Sequence, residues 1–367
     1  MQGHTCIIFG DQLDERICAR IDDLDDLDGA RSNNPMSAYR SFAEQALTYF
    51  IRDHTAVPQG PVASPAAWLG NEMRGRSAQW TFTLSPGEIA EAEATASELR
   101  DRGVAMEAVT RTTFELPTLG TRLNELAREV QAGRGFVVLR GLPVARWGDE
   151  LASYVFWGMG HHLGHPGAQN ADDELLGHVT DYGENVDGPT IRSYRTARNI
   201  AFHCDAADAV ALLCLRTAKQ GGQSRIASSV AIFNRILATR PDLAERLFEG
   251  FALDRRGEEG PGEPGFVTLP AACYADNILR TFWHSDYFRS APRHGDGAQL
   301  DAAGAELLDL YDSIAADPDV HLDMWLEPGD IQIISNHTVI HARTEYEDYE
   351  EADRRRHLLR LWLTFGE

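Results

Sequence analysis

The chain has 367 residues, of which 43% are hydrophobic and 25% are charged, so it is long enough to bury a large core. It contains 56 acidic and 34 basic residues, which gives a formal net charge of -22 at pH 7. This charge disfavours general binding to nucleic acids or anionic membranes, because their phosphate groups would be repelled. It is typical instead of an acidic globular protein that stays in solution.

The cysteines and the first residues of the chain bear on its cellular compartment. Five cysteines are scattered without a C-x-x-C pair, which disfavours both a disulfide framework and a zinc cluster. Residues 1–10 lack the basic and apolar segments of a secretory signal, and no run approaches the roughly 20 apolar residues of a membrane span. The sequence therefore predicts a soluble, cytoplasmic protein.

Residues 1–110 are predicted to form a mainly helical N-terminal extension. Apolar residues recur at every third position at Ile21, Leu24 and Leu27, within an acidic stretch. This pattern fits either a short helix or a solvated acidic loop. The pattern over residues 37–54 predicts a helix, and the Pro and Gly residues within 57–65 predict a connector.

Two helices that follow have clearer sequence signals. Ser85 and Glu88 have the spacing of a capping box, with Pro86 at the first helical position, and Gly103 is a plausible stop. Leucines at spacings of three and four predict a second helix over residues 118–132.

A change from helical to strand patterns marks the rest of the chain. A buried strand is predicted at 135–144 and a helix at 147–162. Two later helices are predicted, at 232–249 with a break at Pro241 and at 302–315. Short strand candidates separated by turn signals predict a sandwich or barrel. They lie at 175–180, 190–194, 200–203, 210–216, 225–228, 320–326, 331–334 and 358–365.

A His-x-Asp pair ends one of these strand candidates. In an extended segment residues two apart point to the same face, so the His203 imidazole and the Asp205 carboxylate can converge on one point. The intervening Cys204 should face the opposite side as a small core residue. A metal suits this geometry, but a catalytic ion needs a third protein ligand.

Two histidines are candidates for that third ligand. His337 and His341 both follow the strand candidate at 331–334. With His203 and Asp205, either would complete a two-His-one-carboxylate facial triad. Such a triad leaves positions open on an octahedral ferrous ion for a co-substrate and dioxygen.

The last predicted strand has two arginines on one face. Arg356 and Arg360 are four residues apart, roughly 13 Å along a strand, and should point into the same apolar interior. The other face should pack on a helix layer through Leu359, Leu361, Leu363 and Phe365. A buried guanidinium needs an anion, and a carboxylate is its natural bidentate partner.

The ordered set of motifs resembles the iron(II)/2-oxoglutarate-dependent dioxygenases of the taurine dioxygenase (TauD/TfdA) and clavaminate-synthase-like group. The resemblance covers about residues 130–367, and residues 135–143 resemble the strand that opens the family's catalytic domain. The motifs that carry it are His203-x-Asp205, Gly221-Gly222-Gln223-Ser224, Pro328-Gly329-Asp330, His341-x-Arg343, Arg356 and Arg360.

This resemblance implies the fold and the metal site. The fold would be α+β, with a double-stranded β-helix (jelly-roll, cupin-like) core in residues 111–367, flanked by helices and preceded by the extension of residues 1–110. Fe(II) would be held by His203, Asp205 and His341. His341 is preferred over the other histidine because the family's distal ligand lies about 11 to 15 residues before its co-substrate arginine.

The resemblance also implies where the other reactants bind. Arg356 would pair with the distal carboxylate of the co-substrate 2-oxoglutarate, and Ser224 would hydrogen-bond the same group. Arg360 matches the position that in relatives often meets an acidic group of the substrate. Further candidate substrate contacts at the border of the pocket are Gln169, Asn170 and Tyr194.

Other residues near these motifs receive a structural interpretation. Arg343 is interpreted as an ion-pair partner near the distal ligand, with a substrate contact as the alternative. Trp283 and His284 are placed in an insertion that covers the site. A second metal site is not favoured by the histidines at positions 161, 162, 165 and 178.

The implied activity is that of an Fe(II)/2-oxoglutarate-dependent oxygenase acting on a small carboxylate- or amino-acid-like molecule. Dioxygen would be consumed while 2-oxoglutarate is converted to succinate and carbon dioxide. Hydroxylation is the default outcome, with desaturation or cyclisation as variants, and secondary metabolism is a suitable setting. The alternatives are a cupin-type metalloenzyme that does not use 2-oxoglutarate and a non-catalytic binding protein on the same fold. No nucleic-acid or membrane partner is expected, and homo-oligomerisation is left open.

Overall fold

The computed structural model describes residues 39–170, 172–183, 195–259 and 262–366. Its helices are α1 (Phe42–Phe50), α2 (Gly70–Arg74), α3 (Pro86–Asp101), α4 (Leu119–Ala132), α5 (Val144–Leu163), α6 (Ser229–Thr239), α7 (Pro241–Arg246), α8 (Ser285–Ser290) and α9 (Ala302–Ala315). Its first six strands are β1 (Thr81–Thr83), β2 (Phe136–Arg140), β3 (His165–Gly167), β4 (Gly177–Val179), β5 (Ile200–His203) and β6 (Ala209–Arg216).

The other strands of the described residues follow from residue 220 onward. They are β7 (Gln220–Gly221), β8 (Ser224–Ser228), β9 (Gly250–Asp254), β10 (Phe266–Pro270), β11 (Ala272–Ala275), β12 (Ile278–Thr281), β13 (His321–Met324), β14 (Ile331–Ser335), β15 (Val339–Arg343), β16 (Tyr346–Glu347) and β17 (His357–Thr364). The mixture of helices and many strands confirms the α+β class.

Two larger sheets organise these strands. One has the order β1-β2-β14-β6-β17-β3, with β4 also paired to β17. Its β1 and β2 run parallel, and its other pairs are antiparallel. The second sheet has the order β13-β8-β15-β5 and is antiparallel throughout. Three two-stranded ladders join β9 to β10, β11 to β12 and β7 to β16.

Apolar side chains form a separate cluster on each side of these sheets. The cluster between the two sheets includes Phe136, Ile226, Val339 and Trp362. A second cluster joins the outer face of the larger sheet to α3, α4 and α5, and it contains Leu359, Leu361 and Leu363. The prediction that this face of the last strand packs on helices is therefore confirmed. A third cluster joins helices α6, α7, α8 and α9 with the β9–β10 and β11–β12 ladders.

The Pro-Gly-Asp turn before β14 is a structural joint between two strands. Asp330 is 1% exposed and accepts two hydrogen bonds from Arg140 at the end of β2, at 2.9 and 2.7 Å. Gly329 has a φ of +91°, and an added Cβ would lie 1.9 Å from the Leu142 carbonyl oxygen. The turn therefore needs glycine for both its backbone angle and its close approach.

The predicted helix ends are confirmed where a local cap defines them. The Ser85 and Glu88 side chains form the predicted reciprocal capping box of α3. A second capping box, Ser41 with Glu44, begins α1. The helix predicted over residues 37–54 is shorter, because the chain turns extended at Ile51. No helix in the described ranges is both long enough and apolar enough to cross a bilayer.

Most predicted strands are present within a few residues, but several strands were not predicted. The β9 to β12 ladders and β3 had no assignment from sequence, and β15, which carries two of the site motifs, was not recognised as a strand. The strand predicted at 190–194 and the acidic stretch containing Ile21 lie outside the described residues.

Residues 39–110 pack into the same clusters as the rest of the chain. Tyr49 belongs to the cluster around α6 and α9, and Trp68 lies between the two sheets. β1 extends the larger sheet by pairing with β2. The predicted boundary near residue 110 stays a prediction.

Candidate functional site

Three potential metal ligands meet at one end of the space between the two sheets. His203 ends β5, Asp205 follows it, and His341 lies on the neighbouring β15, where the β-sheet register pairs it with His203. One ligand atom from each residue lies within 4.8 Å of the other two. Among the described residues this is the group of three metal-binding side chains that could share an ion.

The electrostatics of this cluster suit a cation. The Asp205 pKa is raised by burial but lowered more strongly by Arg360 and the two histidines, so the net shift is downward. Burial, and then His203, lowers the pKa of His341 to about 3. At neutral pH the carboxylate is therefore charged and this imidazole is neutral, which are the protonation states that bind metals.

Free lone pairs complete the fit to a metal. The His203 Nδ1 donates to the Ala201 carbonyl at 2.9 Å, which leaves the Nε2 lone pair available. The Asp205 Oδ2 is buried and has no hydrogen-bond partner among the described residues. It lies 3.7 Å from the His341 Nε2. A buried carboxylate oxygen without a donor is costly unless a cation binds it.

The second candidate ligand, His337, lies outside this group. Its Nε2 is 2.8 Å from Asp208 Oδ1, and its ring stacks on Tyr49 with the centroids 5.0 Å apart. The residue before it, Asn336, accepts the Asp205 backbone N–H at 3.1 Å and donates to the Ala207 carbonyl at 2.9 Å. Asn336 therefore holds the backbone of the loop that contains Asp205.

Arg360 lies beside the candidate ligand Asp205, and Gln169 makes two hydrogen bonds with it. Its Nη1 lies 3.6 Å from Asp205 Oδ1. The Gln169 Oε1 accepts from Arg360 Nε at 2.6 Å, and the Gln169 Nε2 donates to the Arg360 carbonyl at 2.7 Å. Gly177 leaves room for this glutamine, since a Cβ there would lie 2.6 Å from its Oε1.

Arg356 precedes β17 and lines the same cavity as Arg360. Its guanidinium is buried, and its Nη1 has no hydrogen-bond partner among the described residues. Gly222 has a φ of +73°, and a Cβ there would lie 3.0 Å from the Arg356 Nε. Gly222 of the Gly-Gly-Gln-Ser motif therefore lets this guanidinium approach the backbone. Ser224 donates to Gln332 Oε1 at 2.9 Å.

One cavity is lined both by candidate metal ligands and by these arginines. Its polar lining consists of His203, Ser224, His341, Arg343, Arg356 and Arg360. Its apolar lining comes from both sheets and includes Val179, Ile200, Val210, Leu212, Leu326 and Leu358. The cavity therefore presents three guanidinium groups and the candidate metal ligands His203 and His341 to one space, which suits an anionic molecule.

Arg343 was interpreted as an ion-pair partner, but no carboxylate of the described residues forms an ion pair with it. Its Nη2 donates to the Thr196 carbonyl at 2.8 Å and to the Arg198 carbonyl. Its guanidinium carbon lies 4.6 Å from the Tyr346 ring centroid. Sequence reasoning did not single out this tyrosine.

The remaining sequence candidates lie around the site or outside the described residues. Asn170 hydrogen-bonds within its own turn, to the backbone N–H groups of Asp172 and Glu174 at 3.1 Å, and it is not among the residues that line the cavity. Its role as a substrate contact stays a prediction. Tyr194 lies outside the described residues.

Cys204, Trp283 and His284 all lie among the described residues, whereas the predicted insertion around the last two stays a prediction. Cys204 is 2% exposed in the cluster around α6 and α9, which confirms that it faces the core. Burial raises its pKa to about 12. Trp283 is buried against Tyr311, whereas His284 lies beside the metal cluster, with its ring centroid 5.2 Å from that of His203.

Sequence comparisons agree with this geometry. Residues 98–362 match the family described as taurine catabolism dioxygenase TauD, TfdA family. FR-33289 synthase of Streptomyces rubellomurinus is 32% identical over 306 residues, which cover 83% of this chain and 90% of that protein. A taurine hydroxylase-like protein of Stachybotrys chartarum is 31% identical over 311 residues, which cover 82% and 79% of the two chains.

Solved structures show the same cupin-like fold at lower identity. Asparagine oxygenase in complex with Fe(II), 2S,3S-3-hydroxyasparagine and succinate has a TM-score of 0.61 at 20% identity, covering 78% of this chain and 93% of that one. The non-haem iron oxygenase OrfP in complex with Fe and alpha-ketoglutaric acid has a TM-score of 0.58 at 15% identity, covering 78% and 94%. The chain therefore belongs to the TauD/TfdA family and is a non-haem iron dioxygenase that uses 2-oxoglutarate.

Proposed function

We propose that His203, Asp205 and His341 hold the Fe(II) of this dioxygenase. The observation that carries the proposal is the approach of their ligand atoms to within 4.8 Å of one another. Two imidazoles and one carboxylate are the donor set of ferrous oxygenases, and the set leaves positions open for other ligands. The unpartnered Asp205 Oδ2 supports the same assignment.

We propose that Arg356 binds the distal carboxylate of 2-oxoglutarate, assisted by Ser224. The free Nη1 of Arg356 and the position of both residues on the cavity wall support this placement. Bound Fe(II) supplies the oxidative chemistry, in which dioxygen is reduced while 2-oxoglutarate is converted to succinate and carbon dioxide. The chain's own residues orient the two organic molecules and exclude water from the cavity.

The proposed substrate is a small carboxylate- or amino-acid-like molecule that is hydroxylated, desaturated or cyclised. Arg360 would bind its acidic group, because Gln169 fixes the guanidinium beside Asp205. The asparagine oxygenase complex and the taurine hydroxylase-like relative carry names that fit a substrate of this size. Asn170 and Tyr194 are kept as proposed contacts, and secondary metabolism as the proposed setting.

The proposal also includes the fold of the core, the domain boundary, the cellular location and the oligomeric state. The two larger sheets are proposed to form a double-stranded β-helix, with residues 1–110 as an extension and residues 111–367 as the oxygenase domain. A cytoplasmic location and a homo-oligomer are compatible with this proposal. Family membership argues against the alternatives of a metalloenzyme without 2-oxoglutarate and of a non-catalytic binding protein.

Anaerobic titration with Fe(II) and 2-oxoglutarate tests the metal and co-substrate assignments. The wild type should develop a weak visible absorption band, and His203→Ala and Arg356→Ala should lose it. The control His54→Ala, at a histidine that stacks on Phe248 away from the cavity, should keep the band. A wild type that shows no band and consumes no 2-oxoglutarate with any tested substrate would contradict the proposal.

A further inference from the structure

Two arginines besides Arg360, namely Arg343 and Arg356, line the cavity that also contains His203 and His341. Arg343 is two residues after His341 on β15, so both side chains point to the same face of the sheet. The β-sheet register places Arg343 opposite Ser224 on β8. Arg343 and Arg356 both pack on Tyr346, with guanidinium carbons 4.6 and 5.1 Å from its ring centroid.

Each of these two guanidinium groups retains unused donors. Arg343 and Arg356 are 5% and 6% exposed. The Nε and Nη1 of Arg343 and the Nη1 of Arg356 are buried without a hydrogen-bond acceptor among the described residues. Arg343 cannot swing away easily, because its Nη2 donates to the Thr196 and Arg198 carbonyl groups.

Two buried positive charges in one cavity are unfavourable unless they share an anion. Removing an unpaired charge from water costs far more than a single hydrogen bond returns. A carboxylate placed between the groups offers about four lone-pair sites, which is enough for donors from both arginines.

The serine on this wall is less available than the arginines. The Ser224 hydroxyl donates its proton to Gln332 Oε1 at 2.9 Å, and Gln332 is fully buried. To donate to a ligand, this hydroxyl would have to give up that bond. The free N–H groups of Arg343 and Arg356 need no such exchange.

We propose that Arg343 is a second binding residue for the distal carboxylate of 2-oxoglutarate and acts together with Arg356. The inference rests on the proposed placement of 2-oxoglutarate in this cavity. It gives Arg343 a role that differs from an ion-pair partner within the protein and from a substrate contact. The co-substrate end of the site then carries two positive charges for one carboxylate.

Binding of two oxo acids to metal-loaded protein tests this role. 2-Oxoglutarate and 2-oxopentanoate have the same chain length, but only the first has a distal carboxylate. Their Kd values are measured by calorimetry without oxygen, with Mn(II) in place of Fe(II). Arg343→Met should raise the Kd of 2-oxoglutarate by about ten- to a hundredfold, because a charged hydrogen bond is lost. It should change the Kd of 2-oxopentanoate less than about twofold.

A matched control and a conservative variant keep the result interpretable. Arg225 lies on β8 beside the site but pairs with Asp323 at 2.7 Å, so Arg225→Met should leave both Kd values unchanged. Arg343→Lys keeps the charge but not the planar donor geometry. It should therefore raise the Kd of 2-oxoglutarate less than Arg343→Met does. If Arg343→Met does not fold, the lysine variant tests the same selective loss.

The binding measurements distinguish a failure of the Arg343 inference from a failure of the 2-oxoglutarate placement. Equal weakening of both oxo acids by Arg343→Met or Arg343→Lys would overturn the inference, since it would reflect a general distortion of the site. Unchanged binding of 2-oxoglutarate in those variants, with a loss in Arg356→Met, would overturn it as well. A wild type that binds neither oxo acid would instead overturn the proposed placement of 2-oxoglutarate.

Discussion

At the loop that carries the proposed ligand Asp205, a single asparagine side chain makes hydrogen bonds with two backbone groups. Asn336 is fully buried, accepts the N–H of Asp205 and donates to the carbonyl of Ala207. It follows β14 directly, so a strand of the larger sheet sets its position. The loop that carries Asp205, the proposed carboxylate ligand, is thereby fixed to the larger sheet by the protein itself.

Asn336→Ala should therefore lower metal affinity as well as stability. Loss of the two hydrogen bonds should cost about 1–3 kcal/mol of unfolding free energy. A misplaced Asp205 should weaken metal binding by about ten- to a hundredfold, as loss of residues that support metal ligands commonly does. Calorimetric titration with Mn(II) and urea denaturation measure the two effects.

Asn234 provides a matched control for this variant. Its side chain also makes two hydrogen bonds to one backbone segment, with the N–H and carbonyl of Val62 at 2.7 and 3.0 Å. Asn234→Ala should lose comparable stability and keep the Kd for Mn(II). Equal metal affinity in the two alanine variants would show that Asn336 does not position Asp205.

At the scale of elements, α5 joins the helix layer to the larger sheet. Gly158 and Gly160 lie on its buried part, where a Cβ at residue 158 would be 2.3 Å from the Phe114 ring and a Cβ at residue 160 would be 2.8 Å from Leu361. The helix accepts glycine there because the neighbouring side chains occupy the space. Packing thus outweighs the lower helix propensity of glycine, which is worth about 1 kcal/mol.

Gly158→Ala should consequently destabilise the protein. The gain in helix propensity is at most about 1 kcal/mol, whereas overpacking against the fully buried Phe114 should cost about 1–3 kcal/mol. Urea denaturation should show a lower unfolding free energy. Gly87→Ala in α3 is the matched control, since its Cβ would meet nothing within 4 Å and it should be neutral or slightly stabilising. A stabilising Gly158→Ala would contradict the packing argument.

At the scale of the whole molecule, buried neutral histidines set a limit on acid stability. Burial lowers the pKa values of His161 and His357 to about 4. In the unfolded chain the same groups would titrate near their ordinary pKa of about 6.5. Between these values the unfolded state binds more protons, so stability must fall as the pH drops from about 6.5 towards 4.

Replacing one of these histidines should flatten that dependence. His161 is 6% exposed, and its contribution should reach about 3 kcal/mol by the acid end of the window. His161→Leu should therefore lose less stability than the wild type between pH 7 and pH 4.5 in urea denaturation. Parallel curves for the two proteins would mean that His161 does not titrate on unfolding.

The sequence by itself determined those features that short-range patterns encode. A capping box marks the start of α3, and alternation along β17 separates the Leu359 face from the Arg360 face. The two-residue spacing of His203 and Asp205 was enough to predict a shared direction. Such patterns depend on backbone geometry over a few residues, so no distant contact is needed to recognise them.

Only the tertiary structure decided which distant groups meet. The meeting of His203 and Asp205 with His341, the anchoring of Arg360 by Gln169 and the position of Arg343 and Arg356 over one tyrosine ring all depend on strand register and chain crossing between remote segments. The β9 to β12 ladders were missed for the same reason, because their apolar residues pack on helices far along the chain. Sequence spacing carries no direct record of such contacts, since they are fixed when the sheets and helices pack together.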